Sequence, residues 1–203
     1  MFKTEIAMKR TLITSTLVLS ALAMASLPQA ALADEANSLI ISGFSSVSSQ
    51  DTKNLETCFT SDINIASSKA IRACSKSYKN SIPNAETRST ILTRRGLLRL
   101  SAGDFDKASR DFKAASSLNN VNELSHLGEA FAAVMRNDVK TAEALFNDCL
   151  SHGKTKPLAI YGLGIISEMT GDSPSAISAY ERAASLKPDW NAPREDLNRL
   201  QNL

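Results

Sequence analysis

The sequence predicts an all-α protein built from repeated helical hairpins, and three observations support this prediction. The chain is 43% hydrophobic but only 5% aromatic, as expected for helices rich in alanine and leucine. Small and aromatic side chains recur at a fixed interval of 34 residues between positions 89 and 190. Turn and cap residues separate the apolar segments at the places where a hairpin of two short helices needs them.

The clearest unit is residues 157–190. Its first helix is predicted from about Leu158 to Thr170, and its second from about Pro174 to Leu186. Gly171 suits the left-handed residue that ends a helix. Asp172 can cap the helix that follows. The unit therefore predicts two short helices joined by a tight turn.

The same features recur in two earlier units, at 89–122 and 123–156, where the turn residues are Gly103-Asp104 and Asn137-Asp138. Each predicted first helix has a small residue near its middle. Each second helix has a small residue, then an aromatic one, then another small one. These positions are Gly96, Ala130 and Gly164 in the first helices, and Ala108, Phe112, Ala115, Ala142, Phe146, Cys149, Ala176, Tyr180 and Ala183 in the second helices. Glycine inside a helix costs about 1 kcal/mol relative to alanine, so its presence predicts that two helices cross closely there.

This register resembles the tetratricopeptide repeat family, and the resemblance covers residues 89–190. It implies a right-handed α-solenoid of three helical hairpins. Residues 53–84 are interpreted as an N-terminal capping hairpin or degenerate repeat, and residues 191–203 as a C-terminal capping helix, since a solenoid must cover its open ends. The middle unit departs most from the family pattern, because Cys149 stands where alanine is usual.

The first 33 residues have the pattern of a bacterial secretory signal peptide. A basic segment ending at Arg10 precedes an apolar one at 11–26, and Ala31-Leu32-Ala33 matches a cleavage motif. The sequence therefore predicts cleavage between Ala33 and Asp34, and a mature chain in the periplasm of a Gram-negative bacterium or outside the cell. The alternative interpretation is an N-terminal anchor that is not cleaved.

Residues 34–52 are serine-rich and are predicted to form a tail or linker. A short apolar cluster within them, residues 39–44, leaves open a second interpretation, in which this segment docks in the protein's own groove.

Three cysteines follow the predicted cleavage site, and an odd number in an oxidising compartment indicates one pair and one leftover thiol. Cys149 is at a predicted buried position of its hairpin and is expected to be a core thiol. Cys58 and Cys74 are then the expected disulfide, which would hold the N-terminal cap together. A redox-active pair is the alternative, although the sequence has no C-x-x-C motif.

Charge and motifs argue against several classes of function. The predicted signal peptide holds three basic residues and one acidic residue, which leaves 20 of each in the mature chain. This balance gives no electrostatic indication of nucleic-acid binding. His126 and His152 are the only histidines, and they lack the spacing of metal ligands. We therefore expect a protein that is not an enzyme, with no catalytic residue, metal or cofactor, no nucleic-acid partner and no membrane insertion of the mature chain.

The family resemblance implies where a partner would bind. First helices line the concave face of such a solenoid, and fixed positions on them meet ligands. The positions expected to form an apolar groove are Arg94, Leu97, Leu127, Phe131, Met135, Tyr161, Ile165 and Met169. Gly128 and Gly162 are expected to let a partner backbone approach. The lysine and asparagine with which some family members grip peptide C-termini are replaced by Thr93 and Leu97.

Two functions follow as hypotheses. The first is a periplasmic adaptor or scaffold that binds a peptide or helix of an envelope protein in the apolar groove, as a monomer or weak homo-oligomer. The alternative is a structural or oligomerisation element, whose groove is filled by its own tail or by another copy.

Overall fold

The computed structural model describes residues 49–63, 65, 67–80 and 84–202. Within these ranges the chain forms nine α-helices and no strand, so the prediction of an all-α protein is confirmed there. The helices are α1 (Ser49–Thr60), α2 (Ser68–Asn80), α3 (Ala85–Ser101), α4 (Phe105–Leu118), α5 (Glu123–Met135), α6 (Val139–Cys149), α7 (Lys156–Thr170), α8 (Ser173–Leu186) and α9 (Ala192–Gln201). The predicted signal peptide, its cleavage site at Ala33 and Asp34, and the apolar cluster at 39–44 lie outside the described residues.

The boundaries between paired helices follow the 34-residue register. Gly103, Asn137 and Gly171 have positive φ angles of 75°, 59° and 87°. They lie just after the last residues of α3, α5 and α7 respectively. This left-handed conformation stops a helix and turns the chain, and asparagine is the non-glycine residue that adopts it most readily. The aspartate after each of these residues precedes the next helix, as the sequence predicts.

The start of α1 differs from the sequence prediction. Residues 34–52 are predicted to be a tail, yet α1 begins at Ser49, so the last four residues of that segment are helical. Asp51 lies in the first turn of α1, where a negative charge interacts favourably with the helix dipole. The four residues that α1 buries are Asn54, Leu55, Cys58 and Phe59, and all lie later in the helix, so its first turn carries no apolar signal.

The described residues belong to two compact units, whose boundary falls between Gly128 and Glu129. In the first unit α1 packs against α2, α2 against α3, and α3 against α4. A disulfide joins Cys58 of α1 to Cys74 of α2, with an S–S distance of 2.05 Å, which confirms the predicted pair. Cys149, in the second unit, is buried and takes no part in that disulfide.

In the second unit α6 packs against α7, α7 against α8, and α8 against α9.

The aromatic residue of each second helix packs on glycine. A Cβ atom on Gly96 or Gly128 would lie within 3 Å of the Phe112 ring, one on Gly162 would lie 2.2 Å from Phe146, and one on Gly164 would lie 2.6 Å from Tyr180. The predicted close helix crossing is therefore present at Gly96 and Gly164.

Candidate partner-binding surface

Six of the eight predicted groove residues are buried, and two are half-buried. The buried ones are Arg94, Leu97, Leu127, Phe131, Tyr161 and Ile165. The half-buried ones are Met135 at the end of α5 and Met169 near the end of α7. Their role in binding a partner stays a prediction, but the contacts of several of them with the chain itself are now defined.

Tyr161 lies at the centre of an interior network in the second unit, and its side chain is fully buried. Its hydroxyl donates to Asp196 of α9 at 2.6 Å. Its ring meets Tyr180 and Trp190, with centroid distances of 5.2 and 4.8 Å. Tyr161 therefore holds α9 against α7, which is a role that the sequence did not indicate.

Charged groups continue this network. Arg199 of α9 donates two hydrogen bonds to the Glu168 carboxylate, at 2.7 and 2.8 Å, and a third to Asp196 at 3.1 Å. Tyr180 donates to the same Glu168 carboxylate at 3.0 Å. Burial raises the pKa of Asp196, although the hydrogen bonds from Tyr161 and Arg199 act in the opposite direction. Burial, followed by the charge of Glu168, raises the pKa of Tyr180 far above its ordinary value.

Phe131 packs against Phe146 of α6, edge to face, with ring centroids 5.0 Å apart. The same Phe146 ring covers Gly162, and Phe112 covers Gly128. The expectation that these two glycines leave room for a partner backbone is therefore wrong. The space beside them is filled by aromatic rings of the protein, because the second helix of each pair inserts its large side chain there.

Arg94 is a buried cation with a local structural role, and its exposed fraction is only 2%. Its guanidinium donates to the carbonyls of Cys58 at 3.1 Å, Phe59 at 2.9 Å and Ser61, all at the C-terminal end of α1. Carbonyls at a helix end lack partners within the helix, and a cation there complements the helix dipole. Burial lowers the pKa of Arg94 to about 10, with Asp62 acting against that shift, so the side chain stays charged at neutral pH.

A charged cluster on α3 contacts α2 and α4. Arg95 forms a bidentate ion pair with Asp111 of α4, at 2.8 and 2.7 Å, and donates to Ser75 of α2 at 3.1 Å. Arg99 donates to the same aspartate at 2.7 Å. The guanidinium of Arg88 lies 4.5 Å from the ring centroid of Tyr78. These contacts fasten α2 and α4 to α3.

The described residues contain no group of three or more histidine, cysteine or acidic side chains arranged to hold a metal ion. None of the helices described is long and apolar enough to cross a membrane. The ion pairs of Asp111 with Arg95 and Arg99, and of Arg199 with Glu168, link helices of the described chain to one another.

No family model matches the chain, and no solved structure matches it. Protein FlbA of Caulobacter vibrioides is 38% identical over 88 residues. This similarity covers 43% of the present chain and 15% of FlbA. The chain therefore resembles a small part of FlbA over less than half of its own length.

Proposed function

We propose that this chain is a non-catalytic protein-interaction module that is exported to the bacterial cell envelope. Its proposed fold is a right-handed α-solenoid of three tetratricopeptide-type hairpins, with capping helices at both ends. The observation that carries the proposal is the aromatic-on-glycine packing, which recurs in the same register as the left-handed residues that end α3, α5 and α7. A regular array of helical hairpins is suited to presenting an extended surface to a protein partner.

The proposed location is the periplasm, reached after cleavage between Ala33 and Asp34. The disulfide between Cys58 and Cys74 supports this location, because disulfides form and persist in oxidising compartments. Fractionation of cells, followed by N-terminal sequencing of the purified protein, tests it. Retention of residues 1–33 in the purified protein contradicts it.

The part of the predicted groove that we propose for partner contact is the half-buried pair, Met135 and Met169. Methionine is flexible and polarisable, so it adapts to varied apolar partners. The partner would be a peptide or helix of an envelope protein.

A photo-crosslinking amino acid placed at Met135 or at Met169 tests this proposal in living cells. We expect a discrete crosslinked product with an envelope protein at both positions. The matched control is Glu143, which is exposed on α6, a second helix of its hairpin. Absence of any product, or the same products from all three positions, contradicts the proposal.

A second candidate function is a structural or oligomerisation element, whose groove is filled by the protein's own tail or by another copy. Six of the eight groove residues are buried within the single chain, which leaves little groove surface for a foreign partner and supports a structural role. The same crosslinking experiment separates the two functions. A product of twice the chain mass supports self-association, whereas a product containing a different protein supports the adaptor.

A further inference from the structure

Helix α2 carries four basic side chains along one exposed face. Lys69, Arg72, Lys76 and Lys79 follow one another at intervals of three and four residues, so they lie on one side of the helix. All four are exposed. At a rise of about 1.5 Å per residue, this α2 basic row is about 15 Å long.

No side chain of the α2 basic row forms an ion pair within the described part of the chain. Helix α2 contains no aspartate or glutamate. The mature chain is predicted to be neutral overall, yet positive charge is in excess along this face of α2.

Within the α2 basic row only Lys79, in the last turn, has a position that the helix dipole favours. Like charges three or four residues apart on a helix repel one another. Lys69 and Arg72 also lie towards the N-terminal end, where the helix dipole disfavours cations. The helix is held instead by its opposite face, which buries Ala70, Ala73 and the disulfide-bonded Cys74. Negative charge supplied from outside the chain would relieve this repulsion.

We propose that the α2 basic row binds an acidic helical segment of a partner protein. This inference rests on the proposed function, because it names a surface of that interaction module and the charge of what it binds. A helix with carboxylates at the same intervals of three and four residues matches the row, which is a single side chain wide. Complementary charge along such an interface gives both rapid association and selection of the partner.

Two other anionic surfaces fit the row less well. A helix that lies on a membrane needs large apolar side chains beside its cations, and the exposed residues of α2 are all polar or charged. Binding of single-stranded nucleic acid needs open aromatic rings for stacking, whereas Arg88 covers the Tyr78 ring of α2. Asp51, which accepts a hydrogen bond from Asn80 at the end of α2, would also repel a broad layer of phosphates.

The test uses a fluorescent, alanine-rich helical peptide with four glutamates spaced three, four and three residues apart. The comparison peptide has glutamine at those four positions. We expect the glutamate peptide to bind the protein, and its binding to weaken as salt is added, because exposed charges are screened. Equal binding of the glutamine peptide overturns the proposal.

Two triple variants with the same change in charge locate the site. We expect R72Q/K76Q/K79Q to bind the glutamate peptide at least tenfold more weakly than the unsubstituted protein. The control K140Q/K154Q/R182Q removes the same number of exposed cations from other helices and loops, and should bind normally. Equal loss in both variants overturns the proposal. So does tighter binding to phosphatidylglycerol vesicles or to a DNA duplex than to the glutamate peptide.

The crosslinking experiment at Met135 and Met169 separates this inference from the proposed function. If R72Q/K76Q/K79Q still yields the partner product at the level of the unsubstituted protein, the row does not bind that partner, and only this inference fails. If the unsubstituted protein yields no product, the proposed function fails, and the peptide measurements alone decide the row.

Discussion

Gly162 shows at the residue scale how an aromatic ring determines which side chain the opposite helix can carry. A Cβ atom there would lie 2.2 Å from the Phe146 ring, which is closer than packed atoms approach. Alanine in an open helix normally raises stability relative to glycine by about 1 kcal/mol. Overpacking a filled core costs about 1–3 kcal/mol, so the clash decides the sign at this position.

We therefore expect Gly162→Ala to lower the free energy of unfolding by about 1–2 kcal/mol, measured by urea denaturation. Gly153→Ala is the control, because no atom lies within 4 Å of a Cβ placed there. Adding Phe146→Leu to Gly162→Ala should recover part of the loss, since the shorter side chain leaves room for the methyl group. A stabilising effect of Gly162→Ala alone contradicts this account of the packing.

Tyr180 provides a test at high pH. Burial and the Glu168 carboxylate raise the pKa of Tyr180 in the folded protein far above its ordinary value of 10. Above about pH 10 the unfolded chain therefore loses this proton while the folded chain keeps it. The folded state then binds more protons than the unfolded state, so the free energy of unfolding falls as pH rises.

We expect urea unfolding at pH 9 to 11 to show this fall, and Tyr180→Phe to show a shallower one. The phenylalanine variant starts from a lower stability, because it loses the hydrogen bond to Glu168. The comparison therefore uses the slope with pH and not the stability at a single pH. Identical slopes in both proteins would show that Tyr180 ionises equally well when folded.

The sequence identified which residues are small but not what lies beside them. Gly128 and Gly162 stand out in helices. A close approach at each glycine was therefore predictable, but the group that makes the approach was not. The ring that approaches Gly128 belongs to Phe112, and the one at Gly162 to Phe146, each on the preceding second helix. Sequence spacing alone does not distinguish a neighbouring ring of the same chain from the backbone of a partner, because either one fills the same space.

Helices α1 and α2 depend at the element scale on links to their neighbours. Neither is strongly apolar, and α2 carries mutually repelling cations. The disulfide joins the two helices to each other, and Arg94 joins the end of α1 to α3. We therefore expect the hairpin of α1 and α2 to be the part of the described chain most sensitive to reduction of the disulfide.

We expect reduction of the Cys58–Cys74 bond to speed amide hydrogen exchange in α1 and α2, with little change in α8 and α9. The bond spans 16 residues, for which loop closure contributes about 3 kcal/mol. A double substitution, Cys58→Ala with Cys74→Ala, should reproduce this exchange pattern without reductant. Uniform acceleration over all the helices would mean that the bond stabilises the chain globally and not the hairpin locally.

Element boundaries were predictable where special residues mark them. The left-handed positions at Gly103, Asn137 and Gly171 coincide with predicted turns, because glycine and asparagine tolerate that conformation. The start of α1 at Ser49 was not predicted. Its first turn is polar, and nothing in the sequence of that turn indicates that later residues bury a face against α2.

At the scale of the whole molecule, the sequence predicted the all-α class, because the 34-residue pattern samples many positions at once. It did not predict which face of each first helix is covered. Tyr161 is at a position that the family resemblance predicts to meet a ligand, yet α9 supplies Asp196 there and the segment before α9 supplies Trp190. Trp190 and Asp196 of the chain itself therefore contact the residue that the resemblance assigned to a partner.

The distinction between Tyr161 and the two half-buried methionines leads to a further prediction. Tyr161→Ser removes a buried ring and leaves the Asp196 carboxylate without its hydrogen bond from Tyr161. Loss of a large aromatic side chain from a core costs about 3–5 kcal/mol. We therefore expect Tyr161→Ser to lower the melting temperature about as much as Phe146→Ser, although the sequence had suggested an exposed position.

Met135→Ser and Met169→Ser should lower the melting temperature much less, because both side chains are half-buried and leave smaller cavities. If Met135 and Met169 contact a partner, the two variants should lose crosslinking from neighbouring positions while remaining folded by circular dichroism. Variants that remain folded and still yield the partner product would exclude both methionines from the binding surface. A melting temperature of Tyr161→Ser close to that of the unsubstituted protein would instead return Tyr161 to the list of partner contacts.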